Sequence, residues 1–383
     1  MTNSECRVAN SERTIQRPHH PPLASRPSSG ITRKAFLKLS AALLAVAGLP
    51  ANRLIAATSG PGELDTEADW LLGRAQYGLP LRPAPSYNSA VTRWLPAEST
   101  FTILSAVMGD RPQSHNNVWY LIPGGYVHSA WVQPMTYYGP QPVEHNLPEW
   151  GFWGEICKPY TGAHNAPRRH AAENYRLYYG TVYHVINAAA GSDPAGGSWY
   201  QIYDELPPTA TYWVRAHHVR RLSEWEFRPI SPHIPLEQKR IEINLAGQTV
   251  ICYEREQPVF FTRCASGAAF KYEDGSTGDF GTPKGEHVVL LKQPSRHMQG
   301  GVEGEDDYFD LPGVPWNIFF TYSGIAIHGT YWHNDYGVPR SHGCVNVSPQ
   351  AARWIHRWTY PIAPYEDDFV RSDRAVGTPV IVT

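Results

Sequence analysis

The strongest constraint on this fold is how often its apolar runs are interrupted. From about residue 85 onward each apolar run is short and ends in a turn former. Phe101–Leu104 is followed by Val118–Ile122, then by Pro123-Gly124-Gly125 and Tyr126-Val127. Runs cut this way signal strands and hairpins rather than helices. The chain of 383 residues carries 32 Gly and 34 Pro, is 12% aromatic and only 18% charged, a β-rich composition. It argues against a coiled coil, a helical bundle, a disordered chain and a multi-span membrane protein. Basic and acidic residues number 33 and 35, so the net charge is −2 and no electrostatic footprint for nucleic acid is present.

One long apolar run stands out, Leu39 to Pro50. It is too short to span a bilayer comfortably. Arg33, Lys34 and Lys38 precede it, and small residues near Ile55-Ala56-Ala57 follow. That order is the order of a cleaved export signal, so residues 1–57 are expected to be signal and leader and the mature chain to lie in the cell envelope. Thr32–Lys38 resembles the twin-arginine export motif with Lys34 in place of the second arginine, and the general secretory route also reads such a segment. Cys6 lies upstream and would be lost on processing. Cys157, Cys252, Cys264 and Cys344 remain, with no CxxC pair to suggest a zinc ribbon or a thioredoxin-like site. Cys252 and Cys264 flank a turn near Glu254–Gln257 without being opposite each other, and no bond is predicted between them.

The chain divides by texture. Residues 58–84 read as a linker with one short helix near Glu67–Leu72. Residues 85–140 and 141–235 read as two small β modules. They share a weak echo: Val118-Trp119-Tyr120 through Tyr126-Val127 to Val132 matches Ser198-Trp199-Tyr200 through Trp213-Val214 to Val219. The pattern resembles bacterial Src-homology-three-type barrels. Its Trp and Tyr residues read as core aromatics before they read as glycan platforms. Residues 236–383 have a third texture. Arg240–Leu245 alternates with period two, Thr249–Tyr253 and Pro258–Thr262 follow as strands, Thr282–His287 is a turn into a strand Val288–Leu291, and Phe319–Ile327 is another strand. A helix is expected after Asn346, with Ser348 as N-cap and Pro349 in its first turn. Pro379–Val382 is a closing strand. The expected class is all-β, with a C-terminal sandwich or barrel bearing one helix.

The chemistry concentrates between Gly324 and Asn346. Ile327-His328-Gly329 is followed, after a spacer ending at Arg340, by Ser341-His342-Gly343-Cys344-Val345-Asn346. A catalytic thiol needs a base or a cation to form its thiolate, and histidine serves that purpose at neutral pH. Glycine beside the thiol clears the approach of a substrate and leaves backbone N–H groups to meet an oxyanion. A set of His328, His333, His342 and Cys344 is a legal zinc donor set, but its spacing fits no zinc pattern. The acidic run Glu303, Glu305, Asp306, Asp307 and Asp310 has no calcium-loop register and reads as a solvated loop.

The pattern IHG…SHGCVN resembles the active-site signature of the L,D-transpeptidase (YkuD-type) catalytic domain. The likeness extends over IEINLAGQTVICYE and GDFGTPKGEH to the closing strand, roughly residues 237–383. The resemblance implies a cysteine acyltransferase of the bacterial cell wall. Cys344 would be the nucleophile and His328 the general base, its ring oriented by the carbonyl of Gly329. His342 would shape the site, although the sequence leaves it open as the base. The N–H groups of Gly343 and Cys344 would face the oxyanion. Arg340, Ser341, Asn346 and, more weakly, Tyr322 would hold the substrate or the loop. The partners implied are peptidoglycan stem peptides, with glycan a further one for the N-terminal modules and carbapenem-type lactams as covalent inhibitors. No metal or organic cofactor is implied. The acyl acceptor stays open among a stem amine, a protein lysine and water, and a non-catalytic wall-binding protein is the remaining rival.

Overall fold

The structure, a computed structural model, describes residues 71–383 apart from 114, 193–195, 207–208, 273–274, 305–306 and 373–374. The expected export signal and Cys6 lie outside the described residues, as do Glu305 and Asp306. Among the described residues the chain forms two compact units. The smaller contains residues 71–136 together with Trp332–Val338, and the larger contains Tyr137–Tyr331 and Pro339–Thr383.

In the smaller unit Leu71–Ala75 lies between Thr100–Thr102 and Val132–Thr136, and Leu79–Leu81 pairs with Arg93–Leu95. Ser105–Gln113, Asn116–Ile122 and Gly125–His128 form a meander. The core is Ala75, Leu79, Leu81, Ile103, Tyr120, Ile122, Val127 and Val132. Residues 71–81 therefore contribute strands, although they fall in the stretch expected to be a linker. The helix expected near Glu67–Leu72 lies mostly outside the described residues, and Leu71-Leu72 are strand.

The larger unit opens with a seven-stranded antiparallel sheet. Its order is Glu173–Tyr178, Tyr160–His164, Ala210–Arg215, Ser198–Asp204, Val182–Ala190, Phe152–Ile156, Val219–Arg221. The sequence echo has a structural counterpart. In each case a strand, a hairpin partner and a three-residue 3-10 turn lead into a final strand, with turns at Ser129–Trp131 and Ala216–His218. Trp119, Tyr120, Trp199 and Tyr200 are buried, as core aromatics should be.

Two five-stranded sheets follow in the same unit. The first runs Gln257–Arg263, Thr249–Glu254, Lys239–Asn244, Pro379–Val382, Gly285–Val288. The second runs Val345–Val347, Ala326–Gly329, Phe309–Phe319, Leu291–Gly300, Val370–Arg371. Among the described residues there is one α-helix, Pro349–Trp358. The Ser348 side chain accepts from the Ala351 N–H at 3.2 Å, so the expected N-cap is in place. The helix packs on Phe309–Phe319 and Ala326–Gly329, and its Trp354 ring stacks on Phe260 of the first sheet at 4.2 Å.

Two sequence expectations need correction here, and one pair of strands was not foreseen. Val288–Leu291 is not one strand. Gly285–Val288 ends in the first sheet, and the chain crosses to the second sheet through Val289 and Leu290, whose N–H groups donate to Thr378 and Phe319 carbonyls. The run is apolar because the crossover is interior, with Val289 fully buried. Phe319–Ile327 is likewise two strands, separated by a turn closed by the Phe320 N–H donating to Ile325 O. Leu291–Gly300 and Phe309–Phe319 escape a periodicity reading because Pro294, Pro312 and Pro315 interrupt them. Gly313 at φ 67° and Trp316 at φ 59° bend the longer one.

Candidate active site

Cys344 and His328 are brought together by two short parallel strands. The register pairs Ile327 with Val345, His328 with Asn346 and Gly329 with Val347. One step back, Cys344 stands level with Ala326, whose N–H lies 3.5 Å from the Cys344 sulfur. Residues two apart on a strand share a face, so His328 and Cys344 are diagonal neighbours on one face, with Asn346 beside His328. Cys344, His328 and Asn346 are fully buried. Cys157, Cys252 and Cys264 are free and buried.

The His328 ring is fixed by its own backbone. Nδ1–H donates to the Gly329 carbonyl at 3.1 Å. A carbonyl only accepts, so the proton sits on Nδ1 and the lone pair on Nε2. Burial pushes the imidazole down to about 4, and the Gly329 bond offsets this only in part. His328 is therefore neutral at pH 7. Gly329 itself is required by packing: a Cβ there would stand 2.8 Å from Pro349 Cα and 3.0 Å from Pro315 Cγ.

The loop before Cys344 is held by a rail of backbone that carries no local sequence signal. The Arg340 and Ser341 N–H groups donate to Ser266 O, Ala268 N–H to Ser341 O, and Ala265 and Asn346 exchange both backbone bonds at 2.9 Å. Gln248 fastens the rail through Ser266, accepting from its N–H at 2.8 Å and donating to its hydroxyl at 2.7 Å. The Thr282 hydroxyl donates to Gly343 O at 2.7 Å and accepts from Gly267 N–H at 2.9 Å. This gives the Thr-Pro-x-Gly turn a job that its resemblance did not specify. Gly343 adopts φ 116°, a region that favours glycine. Its N–H donates to Ser341 Oγ at 3.2 Å, and Ser341 Oγ donates to Cys344 O at 2.5 Å.

His342 is enclosed by aromatic rings. Phe270 stacks on it at 4.5 Å, Phe280 lies at 4.2 Å and Phe309 at 6.0 Å. Sequence reasoning missed these three phenylalanines, which come from separate strands and loops. Tyr322 is 81% exposed on the turn between Phe319 and Ala326. With Pro283, His287, Leu290 and Phe320 it lines a cavity of about 280 Å³. Arg340 is half-buried. Among the described residues no group of three or more His, Cys, Asp and Glu is placed to hold a metal ion.

Residues 238–382 match the YkuD family model, the L,D-transpeptidase catalytic domain. The matched domain contains both strands of the site, the Ser266 rail and the helix. Solved L,D-transpeptidase structures resemble it. One from Xylanimonas cellulosilytica is 24% identical over 38% of this chain and 60% of its own, with a TM-score of 0.27. The catalytic domain of an E. faecium L,D-transpeptidase is 22% identical over 38% of this chain and 98% of its own, TM-score 0.27. L,D-transpeptidase 3 from Mycobacterium tuberculosis, solved with a faropenem-derived adduct, is 16% identical over 53% of this chain and 91% of its own, TM-score 0.29. The match thus spans about three fifths of the Xylanimonas chain. No curated protein gives a significant match.

Proposed function

We propose that this chain is an exported peptidoglycan L,D-transpeptidase working through a Cys344 thioester. The observation that carries the reading is the pinned, neutral His328 beside Cys344 inside a domain that matches the L,D-transpeptidase model. His328 Nε2 accepts the thiol proton. The thiolate attacks the carbonyl carbon of the third stem residue, and the tetrahedral oxyanion is met by the N–H groups of Cys344 and Gly343. The oxyanion would replace Ser341 Oγ, 3.2 Å away, as the acceptor of the Gly343 N–H. The C–N bond breaks, and the departing D-alanine amine takes the proton back from His328. An acceptor amine of another stem then attacks the thioester and gives a proton to His328. The C–S bond breaks, the amide forms and the thiolate is restored. Water in the acceptor's place gives a carboxypeptidase, and a protein lysine gives tethering.

His342 is assigned a shaping role, because its ring is walled by Phe270, Phe280 and Phe309 while His328 has its tautomer fixed. Arg340, Asn346 and Tyr322 are assigned to substrate and loop. Exposed rings such as Trp94 and Tyr160 remain the N-terminal surfaces on which a glycan would stack.

The deciding test is intact mass spectrometry of the reduced protein mixed with a carbapenem, with Cys344→Ala as control. The expected result is a one-to-one adduct on the wild type and none on the variant. An unmodified wild type overturns the enzyme reading. Purified stem peptides then separate the acceptors, a cross-linked dimer meaning transfer and a trimmed monomer meaning hydrolysis.

A further inference from the structure

The His328 ring is oriented by one carbonyl, that of Gly329, and the neighbouring strand decides whether that carbonyl is available. Phe309–Phe319 pairs antiparallel with Ala326–Gly329 through Phe319↔Ala326 and Ile318↔Ile327, and the ladder ends there. Backbone groups along a strand turn to alternate sides. Ile325 O accepts from Phe320 N–H at 3.0 Å, on the side of Phe309–Phe319, and Thr330 N–H donates to Val347 O at 3.1 Å, on the opposite side. Gly329, four residues after Ile325 and one before Thr330, therefore turns its carbonyl toward Phe309–Phe319. Two steps beyond Ile318↔Ile327, the residue across from Gly329 is Trp316. A regular ladder would give the Gly329 carbonyl to the Trp316 N–H.

Trp316 departs from the ladder. Its φ is 59°, a left-handed conformation that a bulky residue rarely takes. Such a residue persists only where its surroundings hold it. Here the Asn317 side-chain amide donates to Val314 O at 2.7 Å across the kink, and both residues are fully buried. The Trp316 indole is buried against Phe227 at 5.0 Å and His356 at 5.4 Å. Pro315, which has no N–H for a ladder, packs on the Gly329 backbone. All of these residues belong to the larger unit. The kink turns the Trp316 N–H out of the ladder and leaves Gly329 O to the Nδ1–H of His328.

We propose that the kink Val314–Asn317 is a positioning device for the catalytic base. The left-handed Trp316 backbone, clamped by the Asn317 amide, reserves the Gly329 carbonyl for His328 and keeps Nε2 as the base nitrogen. The inference rests on the transpeptidase reading for the use made of His328. Neither Trp316 nor Asn317 touches the reacting atoms, and both are positioning residues.

The test uses the full, reduced chain with isotope-labelled histidine. NMR reads the His328 tautomer, assigned by comparison with His328→Gln, and mass spectrometry reads the rate of imipenem acylation of Cys344. The wild type is expected to show the Nδ1–H tautomer. Asn317→Leu, which removes the donor, is expected to populate the Nε2–H tautomer and to slow acylation about tenfold. Asn317→Ser, whose hydroxyl can still donate to a carbonyl three residues back, should recover most of both. Position 316 supplies a second pair, which decides the matter should Asn317→Leu fail to fold. Glycine takes φ 59° without strain and valine does not. Trp316→Val should lose the tautomer and the rate although it keeps more apolar packing, whereas Trp316→Gly should keep the tautomer despite a lower Tm. Tautomer and rate that simply follow Tm across the variants mark general destabilisation and overturn the inference. A wild-type tautomer and rate in Asn317→Leu or Trp316→Val overturn it as well. Should imipenem leave the wild type unmodified while the tautomer still shifts in these variants, the transpeptidase reading falls and the placement of His328 by the kink stands.

Discussion

A buried histidine with one nitrogen bonded to a carbonyl has a single protonation state over most of the physiological range. For His328 that state is neutral, with its base nitrogen Nε2. The acid limb of the acylation rate should therefore lie near pH 4 instead of the usual histidine midpoint, provided the fold survives there. Stability gives the matching sign. The folded value is depressed, so the contribution is whole above about 6.5, the ordinary value, and is lost as pH falls toward about 4. His328→Gln should lower acylation by roughly 10² to 10⁴ at pH 7 and remove the limb, as read by stopped-time mass spectrometry across pH. At this scale the sequence was informative where chemistry is local. IHG and SHGCVN lie in one stretch and point to their own pairing. Ser266, Gln248, Thr282 and the phenylalanines around His342 were not legible, because their role exists only after distant segments meet.

One pair of strands carries an unusual fastening. His297 on Leu291–Gly300 is 3% exposed, with Nδ1 2.7 Å from Asp204 and Nε2 2.5 Å from Asp310. Burial alone would lower its pKa, but the hydrogen bonds and charges of the two carboxylates outweigh burial and raise it to about 9. The imidazolium thus ties Phe309–Phe319 to the end of Ser198–Asp204. Because the folded value is raised, its stabilisation is whole below about 6.5 and disappears as pH rises through about 9. His297→Gln should lower Tm most near pH 6, and the difference from wild type should vanish by about pH 10. Calorimetry over that range checks it, and a pH-independent difference would contradict it. The helix was readable in advance, since Ser348 and Pro349 form a local cap. These two strands were not, because Pro294, Pro312 and Pro315 are ordinary breakers. Only the buried setting of Leu311, Val314 and Trp316 keeps the segment extended.

On the scale of the molecule, the textural break near residue 235 runs through one compact unit. Glu226 bonds Arg220 of Val219–Arg221 and, at 2.5 Å, Arg353 of the helix. Phe227 packs on Trp316 at 5.0 Å, and the Trp153 indole donates to Tyr365 O at 2.9 Å. A chain starting at residue 236 would expose Trp316, Tyr365 and the His297 pocket together. It should melt at a clearly lower temperature than one starting at residue 137, or fail to fold, in a circular dichroism comparison. Equal melting would show that the second module adds nothing to the catalytic domain. Composition made the β class legible, but texture alone did not reveal which modules share a core, since that depends on pairs far apart in sequence.

The strand Pro379–Val382 lies between Lys239–Asn244 and Gly285–Val288 and is parallel to the first of them. A ribosome makes it after everything it separates. Until it emerges, the first sheet is two fragments with open edges, and the nascent domain has no complete hydrogen-bond ladder to commit to. Pairings across such a sequence separation form slowly, so closure of this sheet is expected to come late in folding.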